Sequence, residues 1–456
     1  MDTSATTART DLGTAATPDA SRVHPETTPP VRVALLGHGT VGGSLHRLLV
    51  EHREHVRLAT GRDVEVRAVL VRDASRSRAG IDTAVTLVTD SLDELVATQP
   101  DIVCEAMGGI DPTREYLLTL LDRGIPVVTA NKQLVARHGT ELFARAAAAG
   151  AQLRFEASVC AAVPIVRMLR ESLAATRIER LLGILNGTTN YMLSAMTAHG
   201  TDYATILAEA QALGYAEPDP TEDVEGIDAA AKLSILAGIA FGTTVSIDDV
   251  RTRGISHLTA DDVAHAHVLG CRIKLIARGE RLDAPGGGSR LALDVTPMLV
   301  PEAHPLANVG GATNAVLVDG APFGRLVVQG AGAGGPETAS ALAGDLVSVM
   351  GSEPSFLTRD PHVAHLEIAP RDSRAERHYV RMLVADRPGV LAAVAGALAA
   401  REISIERVLQ QRADNGRATL VLTTHPCAPS DLDSALEGVE SLECTVLPLL
   451  ELETPR

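Results

Sequence analysis

Glu217, Asp219, Glu222, Asp223, Glu225 and Asp228 fall within twelve residues of one another, and Lys232 follows. Asp228 and Lys232 are spaced i, i+4, so on a helix they share one face. Pro218 and Pro220 hold the acidic run extended just before that helix. Such a pattern has two readings. The carboxylates could hold a cationic amine while the lysine presents a proton beside it. Equally, the stretch could be a solvated acidic loop with an ordinary surface ion pair. The elements around it have to decide.

The first of those elements starts at Val31. VRVALLGHGTVGGSLHRLL reads as an apolar strand, a glycine turn and an amphipathic helix, with Gly37, Gly39 and Gly42 forming GxGxxG in the setting that gives the motif meaning. Gly37 permits the turn, Gly39 lets the backbone approach a pyrophosphate, and Gly42 lets the helix lie close on the strand. The loop of Gly37, His38, Gly39, Thr40, Val41 and Gly42 is the expected coenzyme contact. A second strand over 64–73 ends at Arg72, with Arg76 and Arg78 beyond. Guanidinium groups there suit a 2′-phosphate and favour NADP, although Asp73 follows at once and could serve NAD instead. Strands over 101–105 and 126–129 alternate with helices, which indicates a doubly wound parallel sheet. Met107-Gly108-Gly109 and Ala130-Asn131-Lys132 then fall at strand C-termini, where ligands sit in such sheets. Met107 and Lys132 are therefore expected at the coenzyme.

GHGTVG, EAMGGIDP and TANK, in this order and spacing, resemble homoserine dehydrogenase. FEASVCAAVPIV, GILNGTTNYML, GYAEPDP…DVEGIDAAAK, VPEAHPLANVGGATNAV and GAGAGGPETASALAGDL resemble it too, so the likeness runs from about Val31 to Gly351. NGTTN together with EPDP…D…K is its specific part. The resemblance implies interconversion of L-homoserine and L-aspartate 4-semialdehyde with a nicotinamide coenzyme, NADP or NAD. Lys232 is the expected proton donor and Asp228 the residue that orients it. Lys132 is expected as a second electrophile or as an anchor for ribose and nicotinamide. Glu217 would meet the substrate ammonium, and Asp223 would help with the ammonium or form part of the pocket wall. The small-residue turn expected at NGTTN would offer Thr188, Thr189 and Asn190 to polar oxygens. Glu156, Val159, Ala161 and Val163 resemble the family's monovalent-cation site, usually sodium, although CAA stands here where relatives often carry glycine-containing triplets. GAGAGG, with Gly334, is read as closing over the nicotinamide.

The remaining organisation follows. Residues 1–30 are poor in bulky apolar side chains and read as a disordered tail, with no fused kinase ahead of Val31. A nucleotide-binding domain over 31–155, completed by 324–350, precedes a less regular catalytic and dimerisation domain over 156–323. In the latter, helices over 164–176, 203–213 and 226–241 accompany strands around 273–278, 291–300 and 314–318. Residues 376–450 read as βαββαβ, and DRPGVLA resembles the signature of an ACT regulatory domain, implying a possible amino-acid effector. The whole is α/β: a Rossmann-type domain, an α+β domain and a ferredoxin-like ACT domain.

A formal net charge of −16 and 2% aromatic residues argue against nucleic acid as a partner. No apolar run approaches a membrane span and no signal pattern opens the chain, so a cytoplasmic enzyme is expected, as a homodimer or homotetramer by resemblance. The five scattered cysteines lack metal spacing. Two other functions fit parts of the pattern: a dehydrogenase of another amino or hydroxy acid, and a non-catalytic sensor of nucleotide and amino acid. Both lysines with Asp228 weigh against the sensor, and the NGTTN and EPDP…K pair against the other dehydrogenase.

Overall fold

A computed structural model describes residues 29–283, 289–351, 372, 375–413 and 416–449. Except for residues 29 and 30, the tail expected over 1–30 lies outside the described residues. The chain divides into two compact units, Met1–Pro361 and His362–Arg456.

The first unit carries two sheets. Strands β1 (Val31–Leu36), β2 (Val64–Leu70), β3 (Leu87–Thr89), β4 (Ile102–Glu105), β5 (Val127–Thr129) and β6 (Leu153–Arg154) form a parallel sheet in the order β3-β2-β1-β4-β5-β6. Every residue of β4 and β5 is buried, which is why these segments read as continuous rather than alternating apolar runs. Helix Gly335–Met350 packs Ala339, Leu342 and Leu346 into the same core as Leu35, Leu45 and Leu49, so the chain returns to this sheet after the middle region.

The second sheet holds β7 (Arg177–Ile184), β8 (Arg251–Thr252), β9 (Cys271–Asp283), β10 (Ser289–Pro301), β11 (Thr313–Ala321) and β12 (Gly324–Ala331), ordered β12-β11-β7-β9-β10-β8. Its pairings are antiparallel except that of β8 with β10. Helices Gly187–His199 and Ile227–Phe241 share its main core, where Leu193, Met196, Leu233 and Leu236 meet Leu181, Leu275 and Val316. Three expectations need correction here. Of the segment expected to complete the nucleotide-binding domain, 324–350, residues 324–331 are β12, the edge strand of this second sheet, and only helix Gly335–Met350 packs into the core of the parallel sheet. The helix expected over 164–176 is a single turn, Ile165–Arg167, continued by a π turn at Met168–Ser172, where it ends. NGTTN is not a turn: Asn186 caps helix Gly187–His199 by accepting from the Thr189 N–H at 2.8 Å.

In the second unit, β13 (Arg377–Ala385), β14 (Ile405–Ala413), β15 (Arg417–Thr424) and β16 (Glu443–Leu449) form an antiparallel sheet ordered β14-β15-β13-β16. With helices Val390–Ala399 and Pro429–Glu437 this is the βαββαβ ferredoxin-like arrangement. Val380, Met382, Val394, Leu398, Leu420 and Leu432 fill its core.

Candidate active site

In the parallel sheet β1 lies between β2 and β4, and the crevice at this switch point is where such sheets bind nucleotides. Gly37 leaves β1 at φ +94°, and a Cβ there would stand 2.8 Å from the Ala106 carbonyl oxygen. A Cβ on Gly42 would lie 2.2 Å from the Gly37 oxygen, so only glycine lets helix Thr40–Glu51 begin so close to the strand. Gly39 differs: nothing lies within 4 Å of its Cβ position, and the backbone borders open space. The helix has no side-chain cap, which leaves its first amides, including Thr40 and Val41, for an anion. This combination fits a dinucleotide pyrophosphate. His38 Nε2 lies 3.1 Å from His46 Nδ1, and burial lowers the pKa of both rings, with Arg78 lowering His38 further.

Arg72 is exposed at the end of β2. Arg78 donates to the Asp73 and Arg76 carbonyls at 2.9 and 2.8 Å. The Asp73 carboxylate accepts from Ser75 N–H and hydroxyl at 3.0 and 2.6 Å. Both of these bonds fall on the same carboxylate oxygen, Oδ1.

Glu105, wholly buried at the end of β4, ties the two neighbouring loops together. Its carboxylate accepts from Met107 N–H at 2.7 Å, Gly108 N–H at 3.1 Å and the Thr129 hydroxyl. Burial raises its pKa and the hydrogen bonds oppose that rise. Thr129 in turn accepts from Asn131 N–H at 3.0 Å, and the Asn131 amide donates to the Gly109 carbonyl at 2.6 Å. Asn131 also caps the helix that Lys132 begins. Sequence reasoning missed Glu105; the only signal was an acid closing the apolar strand IVCE.

A cavity of about 410 Å³ lies beside these loops, lined among others by Val41, Met107, Lys132, Cys160, Lys232 and Gly332. Gly334 caps helix Gly335–Met350 at φ +134°, just beyond Gly332. Lys232 is buried, donating to the Asp228 carboxylate at 2.9 Å and to the Leu185 carbonyl at 2.8 Å. An ammonium has three N–H groups, so one remains for the cavity. Lys132 is bonded to the other oxygen of Asp228. Burial alone would raise Asp228, but the Lys232 and Lys132 ammonium groups hold it well below the usual carboxylate range. Burial alone would lower Lys232, and Asp228 holds it above the usual lysine value instead. The lysine thus stays protonated at neutral pH.

Asn186, absent from the sequence-based site, joins this cluster. Its amide donates to Asp223 at 2.7 Å and to Asp228 at 2.9 Å. Burial raises Asp223 above the usual carboxylate value. Thr188 donates to the Tyr215 carbonyl at 2.7 Å. Thr189 and Asn190 face the fold: the former bonds Asn186, and the latter donates to the Val309, Gly311 and Thr313 carbonyls. Glu217 is exposed on the loop before the helix. Asp219 bonds Thr221 within its own turn, and Glu225 accepts from the Ser256 hydroxyl.

The expected cation ligands fall in one stretch, a 3₁₀ turn at Glu156–Ser158 followed by irregular backbone to Val163. Both carboxylate oxygens of Glu156 are engaged by the Val166 and Arg167 N–H groups, at 2.8 and 2.6 Å, and burial pushes its pKa up to about 7. Cys160 and Ala161 have φ of +57° and +30°, the region that glycine would adopt without strain. The Glu156 and Val163 carbonyls each accept one main-chain bond, from Val159 and Ile165.

Comparisons with known proteins are consistent with one another. Residues 37–156 match the family model for the NAD binding domain of homoserine dehydrogenase, residues 164–347 that for homoserine dehydrogenase, and residues 378–444 that for the ACT domain. A homoserine dehydrogenase of Mycobacterium tuberculosis is 45% identical over 425 residues, spanning 91% of this chain and 95% of that one. The crystal structure of a homoserine dehydrogenase from Thiobacillus denitrificans aligns with a TM-score of 0.67 at 39% identity, over 93% of this chain and 99% of that one. A hyperthermophilic archaeal homoserine dehydrogenase in complex with NADPH aligns with a TM-score of 0.60 at 26% identity, over 71% and 99%.

Proposed function

The chain belongs to the homoserine dehydrogenase family, an NAD(P)-dependent oxidoreductase family of amino-acid biosynthesis, and from that premise we propose how its residues divide the reaction between L-aspartate 4-semialdehyde and L-homoserine. The observation that carries the reading is the Asp228 carboxylate with Lys132 and Lys232 on its two oxygens, beside a nucleotide crevice. A nicotinamide coenzyme held at the glycine loop would supply the hydride in the reductive direction. Lys232 stabilises the negative charge that develops on the aldehyde oxygen and delivers a proton to it from Nζ. Lys132 adds a second positive charge at the same oxygen. Asp228 keeps both ammonium groups charged and aimed. Asp223 and Glu217 bind the α-ammonium, Asp223 held by Asn186 and Glu217 from the exposed loop. Thr188, whose hydroxyl interacts with Asp223, is assigned to the α-carboxylate.

NADP is the preferred coenzyme, with Arg72 and Arg78 on the 2′-phosphate; the exposed guanidinium of Arg72 just beyond β2 supports this choice. A monovalent cation, sodium, would be held mainly by main-chain carbonyls of Glu156, Val159, Ala161 and Val163. Carbonyls with one bond already made retain a second lone pair for such an ion, which would stiffen the segment carrying Cys160. An amino-acid effector binds the ACT unit at its first turn, where a cavity of about 360 Å³ is lined by Asp386, Arg387, Gly389 and Gln410. The enzyme works as a homodimer or homotetramer in the cytoplasm; no described helix is long and apolar enough to cross a membrane. NADPH oxidation by aspartate semialdehyde, with and without threonine and with sodium exchanged for choline, tests these points together. No turnover would favour a nucleotide and amino-acid sensor.

A further inference from the structure

The Leu185 carbonyl accepts two donors, Lys232 Nζ at 2.8 Å and Asn314 Nδ2 at 3.0 Å. Asn314 is wholly buried near the start of β11, and Nδ2 also reaches Cys160 Sγ at 3.4 Å. Only the NH₂ end of an amide can donate to a carbonyl, so these contacts settle which way the side chain faces. Its Oδ1 is then left buried without a hydrogen-bond partner among the described residues. An unpaired buried amide oxygen is destabilising, and an apolar side chain of similar volume would fill the space without it. Packing therefore does not account for asparagine at this position. Gly332, in the wall of the catalytic cavity, is fitted to the same side chain: a Cβ there would lie 2.1 Å from Asn314 Cγ. Two pieces of chain thus conform to keep this amide directly behind the cavity wall.

We propose that Asn314 is a positioning residue for proton transfer: its amide fixes the Leu185 carbonyl, which with Asp228 aims Lys232 Nζ into the cavity. Two of the three N–H groups of Lys232 are placed by these acceptors, so the direction of the third depends on both. Asp228 is rigidly held by Asn186 and Lys132, whereas Leu185 lies just beyond the end of β7 and takes a side-chain restraint from Asn314. The proposal rests on Lys232 being the proton donor.

Asn314→Asp keeps the volume and removes the amide donor, and Asn314→Ala removes both. Each is measured against wild type and Lys232→Ala, in NADPH oxidation by aspartate semialdehyde and in homoserine oxidation across pH. The expected result is a fall in kcat of about tenfold or more in both Asn314 variants, the size of a misaimed reacting group. KM for NADPH should stay within about twofold, and the rising pH limb of homoserine oxidation should be displaced. Lower thermal stability with wild-type kcat and an unmoved limb overturns the positioning role. Wild-type turnover in Lys232→Ala overturns the donor reading beneath it. An impaired Lys232→Ala beside unimpaired Asn314 variants rejects the positioning role alone.

Discussion

Lys132 and Lys232 share one carboxylate, that of Asp228, although they come from helices packed against different sheets. Lys232 is the more buried of the two, with a tenth of its side chain exposed against a third for Lys132. A proton given up at Lys232 is therefore less exposed to exchange with bulk water. Lys232→Ala should lower turnover by roughly 10²-fold or more, the usual loss with a positioned acid. NADPH affinity, followed by fluorescence titration, should be unchanged. Turnover close to wild type would remove Lys232 from the reaction.

Asp228→Asn separates charge from shape. In the proposed mechanism Lys232 accepts the proton during homoserine oxidation, so the rate is expected to rise with pH as the amine becomes neutral. Asp228 holds Lys232 above the usual lysine value against the downward pull of burial. Without that charge burial prevails, Lys232 titrates at lower pH, and the limb for oxidation moves toward neutrality. Reduction, which needs the protonated lysine, should correspondingly begin to fail at lower pH. Profiles of kcat against pH in both directions check this; limbs that stay put would mean that another group titrates.

The nucleotide half was legible because its signals are local. An apolar strand, three glycines at fixed spacing and an amphipathic helix follow one another directly in the chain, from Val31 to Glu51. The Asp228–Lys232 pair was legible for the same reason, being i, i+4. The pairing of Lys132 with Asp228 was not, since nothing in either segment's pattern encodes a partner in the other sheet layer. NGTTN was read as a turn because Gly, Thr and Asn are weak helix formers. The capping preference of Asn186 is the signal that overrode this, and tertiary packing of Met192, Leu193 and Met196 carries the helix onward. Glu105 closes the apolar strand IVCE, whereas Lys274 and Asn314 stand in strands with other polar residues, and the purpose of each is visible only once its distant partners are in place.

Coenzyme choice turns on the end of β2. If Arg72 and Arg78 meet a 2′-phosphate, Arg72→Ala should raise KM for NADPH by about tenfold, the size of one lost charge-assisted bond. KM for NADH, which lacks that phosphate, should hardly change. Steady-state kinetics with both coenzymes decide it. Equal effects on the two would place the arginine elsewhere on the nucleotide.

Lys274 makes a prediction about stability. It is buried, and its ammonium donates to Asn190 Oδ1 at 2.9 Å and the Val309 carbonyl at 2.6 Å, both neutral acceptors. Burial, helped by the nearby Arg272 charge, lowers its pKa to about 8. An unfolded lysine titrates near 10.4, so between these values the unfolded chain binds more protons. Stability from this group must then rise with pH across that window. The unfolding free energy of wild type relative to Lys274→Met should grow by up to roughly 3 kcal/mol between about pH 8 and 10.4. Denaturant melts at several pH values measure the difference; a flat or falling trend would show the amine to be less desolvated than its contacts indicate.

Gly39 and Gly42 stand in one motif but should fail in different ways. A methyl group on Gly42 meets the Gly37 carbonyl oxygen at 2.2 Å, a backbone atom that cannot move without shifting the strand or the helix. Gly42→Ala is expected to destabilise the nucleotide-binding half by about 1–3 kcal/mol, the cost typical of overpacking. At Gly39 the same methyl meets nothing within 4 Å, and φ is −81°, which alanine adopts without strain. Gly39→Ala should therefore melt like wild type. Its methyl would project into the space beside the uncapped helix N-terminus, where the pyrophosphate has to approach the backbone, so NADPH affinity should fall by about tenfold or more, the order of one charge-assisted contact. Thermal melts paired with NADPH titration separate the two. A Gly39→Ala enzyme that binds NADPH normally would mean that the coenzyme does not lie against this turn.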